Sequence, residues 1–174
     1  MPRIVCMTAA ATAIAVAAAG CSDAPEREYT VPKSLCGITV PEESLSPLLP
    51  PGKNVTSEED TPVPDAITTC KLTVDGDQVL SVERERREAG ASARDIAVNQ
   101  VSVQQPKSAA NRAIAYADWA AVSVISCREE GNAEEDISTV IKVLKPGKPD
   151  ESAMKDLITE YTSALKTQDA CSGP

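Results

Sequence analysis

Two Ser-x-x-Lys spacings, Ser152 with Lys155 and Ser163 with Lys166, are the residues that point most directly to chemistry. A lysine one helical turn beyond a serine can take its proton and prepare it for acyl transfer. Neither pair is followed by the Ser-Asp-Asn or Lys-Thr-Gly element that completes a penicillin-recognising site. Both lie in one stretch of helical apolar period, so they read as its solvent-facing composition. Gly90-Ala91-Ser92-Ala93-Arg94 lacks the second glycine of a nucleophile elbow. Ser57-Glu58-Glu59-Asp60 offers oxygen ligands, but without regular spacing it reads as a solvated acidic turn. Asp118-Trp119 places an acid beside the sole tryptophan and reads as an anchor at a strand start. With no histidine in 174 residues, the chain has no Ser-His-Asp or Cys-His pair and no imidazole metal ligand. Its 26 acidic residues could supply a general acid and base, yet no pair stands out. The sequence therefore nominates no catalytic residue, no cofactor-binding residue and no metal ligand.

Composition narrows the partners. Aromatics are 2% of the chain and the net charge is -9, which leaves little to stack on unpaired bases and repels phosphate backbones. Nucleic acid is not expected. With no Phe and one Trp, a core must be built from Val, Ile, Leu and Ala, which bury less area per residue than aromatics.

Arg3 and the mostly apolar run Ile4–Ala19 have the layout of a secretory signal. The run falls short of the roughly 20 apolar residues needed to span a bilayer. It ends in Ala18-Ala19-Gly20-Cys21, which resembles the bacterial lipobox except that Leu is usual at the position of Ala18. The resemblance implies that residues 1–20 are removed and that Cys21 is the lipid-attachment residue. Residues 21–35 then read as a lipidated N-terminus and flexible tether, since Ser22–Lys33 is polar, has no apolar period and contains Pro25 and Pro32. Two or more acyl chains on Cys21 would hold the protein stably at the membrane. Losing Arg3 leaves the body still more acidic, so it is expected to stand off an anionic bilayer.

Cys36, Cys70, Cys127 and Cys171 remain once Cys6 and Cys21 are set aside. Four cysteines in an oxidising compartment suggest two disulfides and allow three connectivities. Pairing Cys36 with Cys70 and Cys127 with Cys171 ties each terminal segment to the nearer strand-like run; nested pairing is the rival.

Residues 36–171 are expected to form one domain. Pro41–Pro64 reads as a helical turn at Leu45–Leu49 followed by a loop. From Ile67 the period is two, with Cys70, Leu72 and Val74 on one face, then Asp75-Gly76-Asp77, then an extended run from Val79 to Arg84. This predicts a β-hairpin with two possible registers: a two-residue loop opposes Leu72 to Val79, a three-residue loop opposes it to Leu80. Glu83–Glu88 alternates in sign and reads as a solvated strand end at an edge. Ser92 and Asp95 resemble a capping pair for a short helix ending by Pro106, whereas Ile96, Val98, Val101 and Val103 also fit a strand. Trp119–Cys127 is apolar on both parities and predicts a central strand. Ile137–Val143 predicts another, with Ser138 and Lys142 on an exposed face. After Pro149, Met154, Leu157, Ile158, Tyr161 and Leu165 recur at helical spacing. The expected fold class is α+β: an antiparallel sheet of about four to five strands with this C-terminal amphipathic helix packed on one face.

Through Ala18–Cys21, Leu35-Cys36-Gly37, Cys70-Lys71-Leu72, Ile125-Ser126-Cys127 and the closing Cys171, the chain resembles small secreted lipoproteins of unknown function from actinomycetes. The resemblance implies an anchor at the outer face of the cytoplasmic membrane and brings no catalytic residues. Together with the missing catalytic groups it favours a non-enzymatic binding or accessory module whose partner is an envelope protein or small molecule. A small carboxylate-dependent enzyme or delivery subunit is one alternative, an envelope sensor module another.

Overall fold

The computed structural model describes residues 26–63, 67–127, 135–168 and 171, and the side chains of 61–63 stand outside that description. The expected signal 1–20 and Cys21 lie outside the described residues. In chain order the elements are β1 (Ser34–Leu35), β2 (Ile38–Thr39), α1 (Glu42–Leu45), β3 (Val55–Val63), β4 (Ile67–Val74), β5 (Asp77–Glu88), α2 (Ala93–Asn99), β6 (Lys107–Ala109), β7 (Ile114–Tyr116), β8 (Ala120–Cys127), β9 (Glu135–Val143) and α3 (Glu151–Thr167).

The fold is α+β. β1 and β2 form a small hairpin, and seven strands form an antiparallel sheet in the order β3-β4-β5-β9-β8-β7-β6. The sheet exceeds the expected four to five strands because β3 lacks an apolar period and β6 and β7 are too short to show one. β3 contains the Ser57–Asp60 stretch that reads as an acidic turn, and it is in fact an edge strand paired to β4. β6 and β7 are three residues each.

The β4–β5 hairpin combines both registers open to it. Asp75 (φ 52°) and Gly76 (φ 94°) form a two-residue turn with Val74 opposite Asp77 and Thr73 opposite Gln78. Positive φ at both central residues is the turn whose twist matches paired strands. A bulge then takes up Val79, so that Leu72 faces Leu80 and Cys70 faces Val82. The shift puts apolar side chains of both strands on one face.

β5 does not end at Arg84, nor is it an edge. It continues to Glu88 between β4 and β9, and Glu83–Glu88 pairs with Glu135–Val140. Period two still separates its charges: Arg84 and Arg86 share a face with Thr139 and Ile137, while Glu83, Glu85 and Arg87 lie on the other.

α3 covers the first face. Asp150 accepts the Ala153 amide at 2.9 Å as N-cap, and Ala153, Met154, Leu157, Ile158, Tyr161, Thr162 and Leu165 are buried. They pack with Leu72, Leu80, Val82, Ala121, Ile125 and Ile141, while Leu35, Ile38, Leu45, Leu48 and Leu49 complete the same core. α2 covers part of the second face. Ser92 caps it by accepting from Asp95, and Ala93, Ile96, Ala97 and Val101 meet Ala115, Ala120, Val122 and Val140. β8 is accordingly buried on both sides, as its sequence requires, and Trp119 packs against this second cluster just before it.

Both disulfides follow the sequential pairing, Cys36–Cys70 and Cys127–Cys171. The first joins the β1–β2 turn to β4; the second joins β8 to the chain just past α3.

The segment expected to be a tether, 21–35, is packed from Arg27 onward, so the domain begins before Cys36. Arg27 bridges to Gly52 and donates to Ser46 Oγ and to the Ser46 and Leu49 carbonyls. Tyr29, Val31 and Leu35 join the core, and the Tyr29 hydroxyl donates to the Pro50 carbonyl at 2.5 Å. Two apolar residues at spacing two are enough to dock an extended strip, and a polar average conceals them.

Asp75 ties the hairpin turn to the loop before β3 through the Lys53 and Asn54 amides, at 2.8 to 3.1 Å. The Asn54 and then the Lys53 amide hold its carboxyl below the ordinary value of 3.8. A depressed folded pKa contributes stability above the unfolded value that is lost as pH falls through the folded one. Asp75→Asn should therefore flatten the pH dependence of unfolding below about pH 4. Urea unfolding in acid, compared with the wild type, measures it; parallel profiles would refute the assignment.

Candidate functional site

The two faces of the sheet differ in what covers them. α3 seals the first, whereas α2 lies over β7 and β8 and leaves the second face of β3, β4 and β5 uncovered. At the boundary a trough of ≈ 100 Å³ runs over β5 and β9, lined by Ile67, Glu83, Glu85, Arg87, Gln100, Val101, Ser138, Val140 and Lys142.

Its polar groups are arranged as a connected set. Arg87 Nε donates to Ser138 Oγ at 2.7 Å, and its Nη2 reaches Gln100 Oε1 at 2.8 Å and the Glu85 carboxylate. Ser138 passes its own proton toward the Glu85 carbonyl at 3.4 Å. Lys142 Nζ meets Glu83 Oε1 at 3.3 Å. Val101 and Val140 supply apolar walls, and Ile67 stands at the rim with 42% of its surface exposed. Each carboxylate is thus matched by a cation, and the trough presents alternating charge rather than a field of one sign.

Size limits what it can take. About 100 Å³ holds roughly three waters or one small side chain, well under the ~300 Å³ of the smaller ligand pockets. The arrangement suits the end of a polar side chain or small zwitterionic group. A second, open depression of ≈ 360 Å³ lies between Thr39–Pro41 and the α3 residues Glu160, Ser163, Ala164 and Thr167. Its lining has no group that converges on another.

The residues singled out in the sequence are not brought together. Ser152, Lys155, Ser163 and Lys166 are all exposed on the outer side of α3. Ser92 is a helix cap, and Glu58, Glu59 and Asp60 lie along the edge strand β3. Glu59 pairs with Arg84 at 3.3 Å. Among the described residues no group of three or more His, Cys, Asp or Glu is placed to hold a metal ion. No helix among them is long and apolar enough to cross a membrane.

Ser138 and Lys142 were expected on an exposed face. Ser138 is 1% exposed, with the Arg87 guanidinium bound to its hydroxyl. Glu83, Glu85, Arg87 and Gln100 were not anticipated as a site either. Their alternation on β5 is visible in the sequence, but the β9 residues that complete the set lie more than 50 positions away for Ser138 and Lys142.

Beneath α3, Tyr161 OH and Thr139 Oγ1 are buried without a hydrogen-bond partner among the described residues. Burial pushes the Tyr161 hydroxyl up to about 12 from 10.0, with nearby Arg84 lowering it and Glu59 raising it. Since the unfolded tyrosine ionises first, this group makes the fold less stable as pH rises above its ordinary value. Tyr161→Phe removes an unpaired hydroxyl and is expected to hold or raise stability by up to about 1 kcal/mol in urea unfolding. A loss of about 2 kcal/mol or more would reveal a partner for that hydroxyl.

The class that fold and site define is a disulfide-linked α+β domain with one sealed and one half-open sheet face. No family model matches the chain, and no curated protein or solved structure matches it.

Proposed function

We propose that this chain is a lipid-anchored binding or accessory module at the outer face of the cytoplasmic membrane, akin to the small actinomycete lipoproteins it resembles. The observation that supports binding most directly is the half-open second face of the sheet, where Glu83, Glu85, Arg87 and Lys142 rim a trough too small for a substrate pocket. Matched charge beside exposed Ile67 favours a polar side chain of a partner protein over a multiply charged metabolite. The alternative of a carboxylate-dependent enzyme has less support, because Glu83 and Glu85 are each engaged by a cation.

The anchor reading rests on Ala18-Ala19-Gly20-Cys21. Cys21→Ala should abolish palmitate labelling in cells and move the protein from the membrane fraction to the medium. Labelling that persists in the variant would refute lipidation at Cys21. Partner binding through the trough is tested separately by envelope crosslinking with wild type and Arg87→Glu. A crosslinked species that survives the charge reversal would place the contact elsewhere.

A further inference from the structure

The two outermost strands of the seven-stranded sheet, β3 and β6, differ in character. β3 carries Glu58, Glu59 and Asp60, all exposed. β6, at the other end, carries Lys107 and leads into Arg112. From Ile96 to Ala117 the chain has no acidic residue, in a protein with 26 of them and a net charge of -9. This stretch, acid-free along the sequence, folds into one corner made of the end of α2, the loop to β6, and the β6–β7 hairpin, and Glu151 of α3 meets it at Lys107. Its exposed side chains are mainly amides, hydroxyls and cations, among them Gln104, Gln105, Ser108 and Asn111. Arg94 fixes the approach to β6 by donating to the Pro106 carbonyl at 2.8 Å. Lys107 meets Glu151 at 2.6 Å, while Arg112 has no ion-pair or hydrogen-bond partner among the described residues.

The backbone of this corner runs against its residue types. Ala110, Asn111 and Arg112 take φ of 48°, 52° and 73° in succession, and Ser102 and Gln105 before β6 are also positive. Left-handed backbone is unfavourable for residues with a Cβ and is rarely found in consecutive non-glycine residues. The other two positive-φ residues of this kind, Cys36 and Asp75, each open a two-residue hairpin turn that requires it. Among the described residues no hydrogen bond or ion pair holds the side chains of Asn111 and Arg112. Glycine would relax the turn, so side chains kept there at a cost in strain point to a use outside the domain.

We propose that the β6 edge, with the turn Ala110–Arg112, is the docking site for an extended acidic segment of a partner protein. The segment lies beside β6 as an added strand and sets a carboxylate against Arg112, Lys107 being held already by Glu151. Three residues of ladder orient it, and the Arg112 charge selects it. The opposite edge cannot serve the same segment, since Glu58, Glu59 and Asp60 would repel it. This inference goes beyond the lipid-anchored binding reading and depends on neither the anchor nor the trough.

The test uses the purified protein and a short peptide alternating Glu with Thr and Val, followed by amide chemical shifts and titration at low salt. Shifts are expected at Ser102–Arg112. Arg112→Glu and Arg112→Gln should each weaken binding, the reversal by at least about tenfold, whereas Glu58→Lys should leave it unchanged. Arg112→Gly should raise Tm by about 2–4 °C while losing binding, a combination that a purely structural turn would not show. Absence of shifts at about 1 mM peptide, or shifts confined to β3 or the trough, overturns the proposal. Concentration-dependent self-association abolished by Arg112→Glu would also overturn it, by assigning this edge to the acidic β3 of a second copy. Equal binding of polygalacturonate would do so by showing an anionic glycan in place of a peptide.

Discussion

Leu157→Asp is expected to unfold the domain. Leu157 sits midway along α3, is 0% exposed, and packs in a core whose other members are almost all aliphatic. A carboxylate there loses the apolar contact of a leucine and has no cation placed to pair with it. The combined cost is about 4–5 kcal/mol or more, against a total stability of roughly 5–15 kcal/mol for a domain of this kind. A core without Phe has little reserve elsewhere. Thermal melting followed by far-UV circular dichroism should show a transition lowered by tens of degrees or no cooperative transition at all. Lys155→Asp, on the exposed side of the same helix, should stay within about 0.5 kcal/mol of wild type. A Leu157→Asp protein with an unchanged melting curve would refute the burial of α3.

The second large effect is expected from the disulfides. The sequence separations of 34 and 44 imply that each bond removes about 4 kcal/mol of freedom from the unfolded chain on the entropy model. The loss should be unequal in practice. Cys36 and Cys70 are both buried in the main core, and their bond fixes the β1–β2 hairpin over β4. Replacing both with serine breaks the tie and also buries two hydroxyls, so a loss of about 4–5 kcal/mol is expected. Cys127–Cys171 joins β8 to a residue beyond α3 that is only partly buried, and its removal should cost less, about 2–3 kcal/mol. Urea unfolding without reductant measures both. Tryptic mapping should recover Cys36 linked to Cys70 and Cys127 linked to Cys171; a nested linkage would refute the pairing.

What was legible in the sequence was local. The β4–β5 hairpin showed itself because Asp75-Gly76 can take positive φ and the flanking residues alternate. α2 showed itself because Ser92 can cap, and α3 because its buried residues recur at helical period. Where two local solutions competed, packing chose between them. The hairpin kept the two-residue turn and added a bulge at Val79, because only then do Leu72 and Leu80, and Cys70 and Val82, share the core face.

The misreadings have one origin. β3 is polar and acidic because it lies at an edge and has no second neighbour, so its pairing with β4 left no apolar signature. Glu83–Glu88 reads as a solvated edge because the partners of its inner charges lie on other strands, Arg84 on Glu59, Arg86 on Glu135 and Glu83 on Lys142. Tyr29 and Val31 were hidden in a polar segment and docked by a core assembled from residues far along the chain.

The sequence by itself determined the α+β class, the principal hairpin, the C-terminal helix and the residues available for disulfides. These depend on backbone preference and periodicity within a few residues, where each side chain's neighbours are known in advance. Only the tertiary structure decided that α3 seals one face while α2 half covers the other, that the sheet's two edges differ in charge, and that Glu83, Glu85 and Arg87 meet Ser138 and Lys142. Those juxtapositions rest on strand order, and strand order is set by which apolar faces can be buried together across distant parts of the chain.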